Sequence, residues 1–120
     1  MILITGGTGY IGSHTAVKLI EQGNDIVIFD NLYNSKLEVL DNIEKITGVR
    51  PKFYKADMLD IDSLDKIFKE NQIHCVIHFA GLKAVGESVE EPLKYFHNNI
   101  AGTINLLMTM QKYSCKKIIF

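Results

Sequence analysis

Very little in this chain points to a nucleic-acid or membrane surface. Thirteen Lys and Arg against fourteen Asp and Glu leave a net charge of −1. No broad basic face is therefore available for nucleic-acid phosphates or anionic lipid, and any phosphate site must be local. No stretch approaches the ~18 apolar residues that a membrane helix needs. Cysteine is scarce, at two residues. Cys75 and Cys115 lie far apart and match no metal or redox spacing. With no secretory signal at the start, a reducing cytoplasm is the expected compartment, and two free thiols are expected over a disulfide. Internal repeats, low-complexity tracts and linkers are missing too, so 120 residues imply one domain or part of one.

What is present is alternation. Short apolar runs at Met1–Ile4, Ile26–Phe29, Lys52–Lys55, Cys75–Phe79 and Lys117–Phe120 read as strands. Between them lie amphipathic stretches of helical period. The first runs from Tyr10 to Gln22, before Gly23. The second follows Ser35 as N-cap and carries Leu37, Leu40, Ile43 and Ile46 up to Gly48. The third opens at Asp62-Ser63, with Leu64, Ile67 and Phe68 on one face. The fourth is a long helix from Pro92 to about Tyr113. Strands apolar on both faces need a sheet covered on both sides. The βαβαβαβαβ order then predicts a Rossmann-type, doubly wound parallel α/β sheet of five strands and four helices.

The strongest motif is Thr5-Gly6-Gly7-Thr8-Gly9-Tyr10-Ile11-Gly12, between the first strand and the first helix. That context turns a weak glycine pattern into a dinucleotide fingerprint. Gly6 permits a tight turn, Gly9 lets backbone approach a pyrophosphate, and Gly12 lets helix pack on strand. The helix amino terminus brings free N–H groups and a positive dipole end. Asp30 ends the second strand, near the spacing of about 20 residues at which a carboxylate reads an adenosine ribose diol. It would repel a 2′-phosphate, which favours NAD over NADP. Asp57 follows the third strand, where a carboxylate can meet adenine.

The opening turn resembles the extended short-chain dehydrogenase/reductase superfamily. Val76-Ile77-His78-Phe79-Ala80-Gly81-Leu82-Lys83-Ala84-Val85-Gly86-Glu87-Ser88 is similar to the signature of the UDP-glucose 4-epimerase family. Asp30-Asn31-Leu32-Tyr33-Asn34-Ser35 matches that family's second-strand turn. The resemblance covers the whole chain and implies a set of NAD contacts. Tyr10 and Ile11 would give backbone to the pyrophosphate. Asp30, Asn31, Leu32, Tyr33, Asn34 and Ser35 would surround the ribose, and Asp57 and Met58 would flank adenine. Phe79, Ala80, Gly81, Leu82 and Lys83 would run beside the cofactor, with Lys83 neutralising a phosphate. Asn98 would reach it from the long helix. As a residue alone, Lys83 reads equally well as a solvated loop lysine.

The family interconverts UDP-galactose and UDP-glucose through a 4-keto sugar, using a Tyr-x-x-x-Lys pair after the fifth strand. The resemblance implies that this pair and the substrate lobe lie beyond Phe120, so the chain alone is expected to be inactive and to hold no catalytic residue. Tyr113 and Lys117 mimic the spacing, but one closes a helix and the other starts a strand, so they should not face each other. His74 and His78 have no further ligands nearby, and no metal is expected. His14 reads as a helix residue near the turn, and His97 as exposed. The long helix carries Tyr95, Phe96, Ile100, Ile104, Leu107, Met108 and Met110, a broad stripe. It reads as core packing or as a partner face; the resemblance implies a homodimer through the 92–113 helix. A UDP-N-acetylhexosamine 4-epimerase, another sugar-nucleotide epimerase or dehydratase, and a stand-alone NAD-binding module remain as alternatives.

Overall fold

A computed structural model describes all residues from 1 to 120. Five strands, β1 (Ile2–Thr5), β2 (Ile26–Asp30), β3 (Lys52–Lys55), β4 (Cys75–His78) and β5 (Lys117–Ile119), form one sheet in the order β3-β2-β1-β4-β5. Every adjacent pair is parallel. The chain winds outward from β1 to β3 and then crosses back to β4. The topology therefore reverses between β1 and β4, and loops after these strands part there. Ligands of open α/β sheets bind in that crevice.

Period-two alternation divides the core into two layers. Leu3, Val27, Phe29 and Val76 pack with Leu64, Ile67, Phe68, Leu106 and Met110 on one face. Ile2, Ile4, Ile26, Ile28 and Ile77 pack with Ala16, Leu40 and Ile43 on the other. The first layer is closed by α3 (Ile61–Glu70) and α6 (Gly102–Lys112), the second by α1 (Tyr10–Glu21) and α2 (Glu38–Thr47). Burying each large aliphatic side chain contributes about 1.5–3 kcal/mol, so both layers, not one, hold the sheet. The Rossmann-type architecture expected from the alternation is the one observed.

Three local features differ from the sequence reading. Ser35 is not the cap of α2. That helix starts at Glu38 behind Leu37, and the Ser35 hydroxyl turns inward to Thr8 Oγ1 at 2.7 Å. The cap of α3 is Asp60, whose Oδ1 accepts from the Asp62 and Ser63 N–H groups. The long fourth helix is preceded by a short α4 (Val85–Glu90), and it is itself interrupted. It runs as α5 (Pro92–Phe96), a π turn (His97–Ala101) and then α6. A wide turn of this kind inserts one residue and often marks a functional site. Here its backbone widens beside the crevice.

Candidate functional site

Thr5 leads from β1 into the glycine turn. Gly6 has φ +68, and a Cβ there would meet the Ala80 backbone nitrogen at 2.7 Å. A Cβ on Gly12 would stand 2.3 Å from the Gly6 carbonyl oxygen. Both positions thus need glycine, one for conformation and for the close passage of the β4 loop, the other for helix-on-turn packing. Gly9 caps α1 without a side-chain bond, and no acidic residue occupies the first turn. Ser13 N–H is the first to find a backbone acceptor, the Gly9 carbonyl. The N–H groups of Tyr10, Ile11 and Gly12 have no partner within the protein. Three free donors and a positive helix end therefore point at the strand edge, where they fit an anion.

Asp30 faces this turn from the end of β2 and is 8% exposed. Its Oδ2 accepts from the Thr8 N–H at 3.1 Å. Its Oδ1 accepts from the Leu32 N–H at 2.9 Å and from the Ser35 hydroxyl at 3.4 Å. The carboxylate ties the glycine turn to the β2 loop and keeps lone-pair capacity on Oδ2. Leu32 sits at φ +61, a conformation uncommon for a leucine, held in part by this bond. Beyond β3, Asp57 Oδ2 accepts from Asn31 Nδ2 at 3.2 Å, and Oδ1 from the Leu59 N–H at 2.9 Å. Met58 is buried under α6, where a Cβ on Gly102 would fall 2.8 Å from its own Cβ.

These segments line a cleft that is open to solvent. Gly6, Gly9, Asp30, Asn31, Tyr33, Asn34, Ser35, Asp57, Met58, Phe79, Ala80, Gly81, Leu82 and Asn98 all line it. Five sequence candidates do not. Tyr10 and Ile11 are exposed at the start of α1, Gly12 is buried in the turn, and Leu32 turns aside. Lys83 is exposed and makes no ion pair within the protein.

Phe29, Ala56, His78 and Thr103 also line the cleft, and the sequence reading did not place them there. His78 joins two walls. Its Nδ1 lies 2.6 Å from Thr5 Oγ1, and its Nε2 lies 3.1 Å from Thr103 Oγ1. Thr103 donates its hydroxyl proton to the Asn99 carbonyl at 2.6 Å, so His78 Nε2–H must be the donor to Thr103. Thr5 then donates to Nδ1 and accepts from the Ala80 N–H at 3.2 Å. The ring is thereby held as one neutral tautomer. Burial, and secondarily the Lys83 charge, push its pKa below the ordinary 6.5. Only the polarity of a histidine ending an otherwise apolar strand could have hinted at this.

Of the remaining histidines, His14 bonds the Tyr10 carbonyl at 2.8 Å, His74 lies 3.1 Å from the Met1 amino group, and His97 is exposed. Tyr113 follows α6 and donates to Asp65 at 3.0 Å, whereas Lys117 opens β5. That pair does not form a catalytic face. No helix of the structure is long and apolar enough to cross a membrane.

A parallel sheet reversing at β1/β4, an uncapped glycine-turn helix and a carboxylate ending β2 define a dinucleotide-binding α/β protein. The sequence matches the GDP-mannose 4,6 dehydratase family over residues 3–120, and the chain belongs to that family. It is similar to UDP-glucose 4-epimerase of Bacillus subtilis, at 58% identity over 119 residues, covering 99% of this chain and 35% of the relative. It superposes on UDP-glucose 4-epimerase from Bifidobacterium longum in complex with NAD+ and UDP with a TM-score of 0.97, at 47% identity, covering 99% of this chain and 36% of that one. The UDP-Glc/GlcNAc 4-epimerase from Campylobacter jejuni gives 0.93 at 34% identity, with 99% and 36% covered. The chain thus spans about a third of the length of the curated relatives it matches.

Proposed function

We propose that this chain is the NAD-binding part of a UDP-glucose 4-epimerase, an isomerase of cytoplasmic galactose metabolism. The observation that carries the reading is the set of three unpartnered N–H groups at Tyr10, Ile11 and Gly12, beside the Asp30 carboxylate. Their chemistry fits a dinucleotide: donors for a diphosphate, an acceptor for a ribose hydroxyl, and no Cβ on Gly9 to obstruct the approach. Asn31, Leu32, Tyr33, Asn34 and Ser35 would border the ribose and Asp57 and Met58 the adenine. Phe79, Ala80, Gly81 and Leu82 would line the remaining wall, with Asn98 opposite them. Lys83, exposed on the loop after β4, would neutralise one phosphate.

NAD, when bound, would supply a hydride acceptor for C4 of a UDP-hexose. The residues of this chain bind and orient it; the Tyr-x-x-x-Lys pair and the substrate lobe would belong to the rest of a longer protein. The test uses that full-length protein. Micromolar NAD binding and interconversion of UDP-galactose with UDP-glucose are expected, while the 120 residues alone should turn over neither sugar. Absence of NAD binding by the full-length protein would refute the reading.

A second reading, a UDP-N-acetylhexosamine 4-epimerase, is supported by likeness to the Campylobacter jejuni enzyme, whose name includes both sugar types. Competition between the two UDP-sugars in the same assay separates them. Assembly as a homodimer is part of the proposal. Leu93, Phe96, Ile100, Ile104, Leu107 and Met108 leave an exposed apolar stripe along α5, the π turn and α6, and apolar area of this extent favours a protein partner.

A further inference from the structure

Asn99 lies behind the cleft wall, and its amide is matched to one peptide of the loop after β4. Its Oδ1 accepts from the Leu82 N–H at 2.8 Å, and its Nδ2 donates to the Leu82 carbonyl at 2.9 Å. The pairing fixes which end of the Asn99 amide is oxygen, because a backbone N–H can only donate and a carbonyl can only accept. The same Oδ1 lies 3.0 Å from the Asn98 side-chain amide. The Asn98 atom facing it must therefore be Nδ2, the donor. Asn98 Oδ1 has no partner in the protein, and Asn98 lines the cleft.

Two adjacent side chains rarely serve one site from a regular helix, where successive residues point about 100° apart. Both residues lie in the π turn His97–Ala101, from which Asn98 lines the cleft and Asn99 reaches the loop. The Asn99 backbone is fixed as well, through its carbonyl, by the Thr103 hydroxyl that His78 also contacts. Gly81 packs against the pair: a Cβ there would lie 3.4 Å from Asn99 Oδ1.

We propose that Asn99 is a positioning residue for the cofactor site, acting on both walls at once. It pins the Gly81-Leu82-Lys83 loop, and it orients the Asn98 amide so that a carbonyl oxygen faces the cleft. Asn98 then recognises a hydrogen-bond donor on the ligand, a ribose hydroxyl or a carboxamide NH2, and not a phosphate oxygen. This inference rests on the reading of the cleft as an NAD site. It predicts that Asn99 matters most to the half of the dinucleotide distal to Asp30.

The test compares NAD with ADP on the nucleotide-free full-length protein, by titration calorimetry, for the original sequence, Asn99→Leu and Asn99→Asp. ADP carries the adenosine and diphosphate contacts alone. Asn99→Leu is expected to weaken NAD by about tenfold or more, the scale of losing buried hydrogen bonds, with a clearly smaller loss for ADP, which shares only the Lys83 contact to a phosphate. Asn99→Asp keeps the acceptor for Leu82 N–H and for Asn98 but sets a carboxylate against the Leu82 carbonyl, so a smaller loss in the same direction is expected. It carries the comparison if the leucine variant does not fold. Equal losses for NAD and ADP would make Asn99 merely structural and overturn the proposal, as would unchanged NAD affinity. Failure of the unsubstituted protein to bind either nucleotide would instead overturn the cofactor reading itself.

Discussion

The Thr5 hydroxyl and the His78 ring meet at 2.6 Å where β1 and β4 end side by side. Thr5 donates to Nδ1, so a proton on that nitrogen would displace the hydroxyl from its only acceptor. Thr103 on the far side, the charge of Lys83 and the Phe120 ring at 5.3 Å also act on it. Nothing among these groups is an anion that would favour the charged ring.

Stability should therefore depend on His78 in acid. Its folded pKa is depressed below 6.5. Above 6.5 both folded and unfolded forms are neutral, and the group has no effect on pH dependence. As pH falls below 6.5 the unfolded chain binds a proton that the folded chain refuses, and stability is lost as pH falls through the folded pKa. Urea unfolding at pH 7.5 and pH 5.5 should show a larger drop for the original protein than for His78→Gln. Equal drops would contradict the assignment.

Gly12→Ala should be among the most damaging single-methyl changes in the chain. The new carbon would lie 2.3 Å from a backbone oxygen, with the Gly7 Cα at 2.9 Å, so the helix must move from the turn. Overpacking of this kind costs about 1–3 kcal/mol. Thermal unfolding reports the loss, and NAD affinity should fall with it as the three free N–H groups shift.

Asp30→Ala should act twice. It strands the Thr8 and Leu32 N–H groups, which costs about 1–3 kcal/mol where no water replaces the carboxylate. It also removes the proposed ribose acceptor. Calorimetry should show weakened binding of both NAD and adenosine; unchanged NAD binding would mean that Asp30 is only a structural brace.

Lys83→Ala separates differently. The side chain is exposed and holds no ion pair, so unfolding should be unchanged within about 0.5 kcal/mol. NAD affinity should fall, and its dependence on salt should flatten, because a charge on a phosphate is screened. If neither changes, Lys83 is a solvated loop lysine.

The exposed stripe gives a fifth expectation. Ile100→Glu with Ile104→Glu places two charges on half-exposed apolar positions outside both core layers. Sedimentation of the full-length protein should shift from dimer to monomer with little loss of monomer fold. A monomeric original protein would return the stripe to a role within the chain.

The sheet and the cofactor turn were legible in the sequence because their causes are local. Alternating apolar residues on β1, β2 and β4 require cover on both faces, and the glycine spacing before α1 allows few backbones. Asp30 could be chosen because strand, turn and carboxylate follow one another directly. Capping was less legible: Ser35 is a good cap in isolation, but Thr8 and Asp30 compete for its hydroxyl from 27 and five residues away. Only the packed chain decides that competition.

By itself the sequence determined the fold class, the five strands, the glycine turn and nearly every segment that lines the cleft. Periodicity, glycine stereochemistry and the residue order carry that information without any distant contact. Only the packed chain reveals the His78 tautomer, the π turn and the hydrogen bonds of Asn99. The bonds of His78 and Asn99 join groups 17 to 73 residues apart, brought together only when β1, β4 and the last helix close on one another. Hydrogen-bond direction at such a junction is fixed by what remains to donate or accept there, and no stretch of sequence states that.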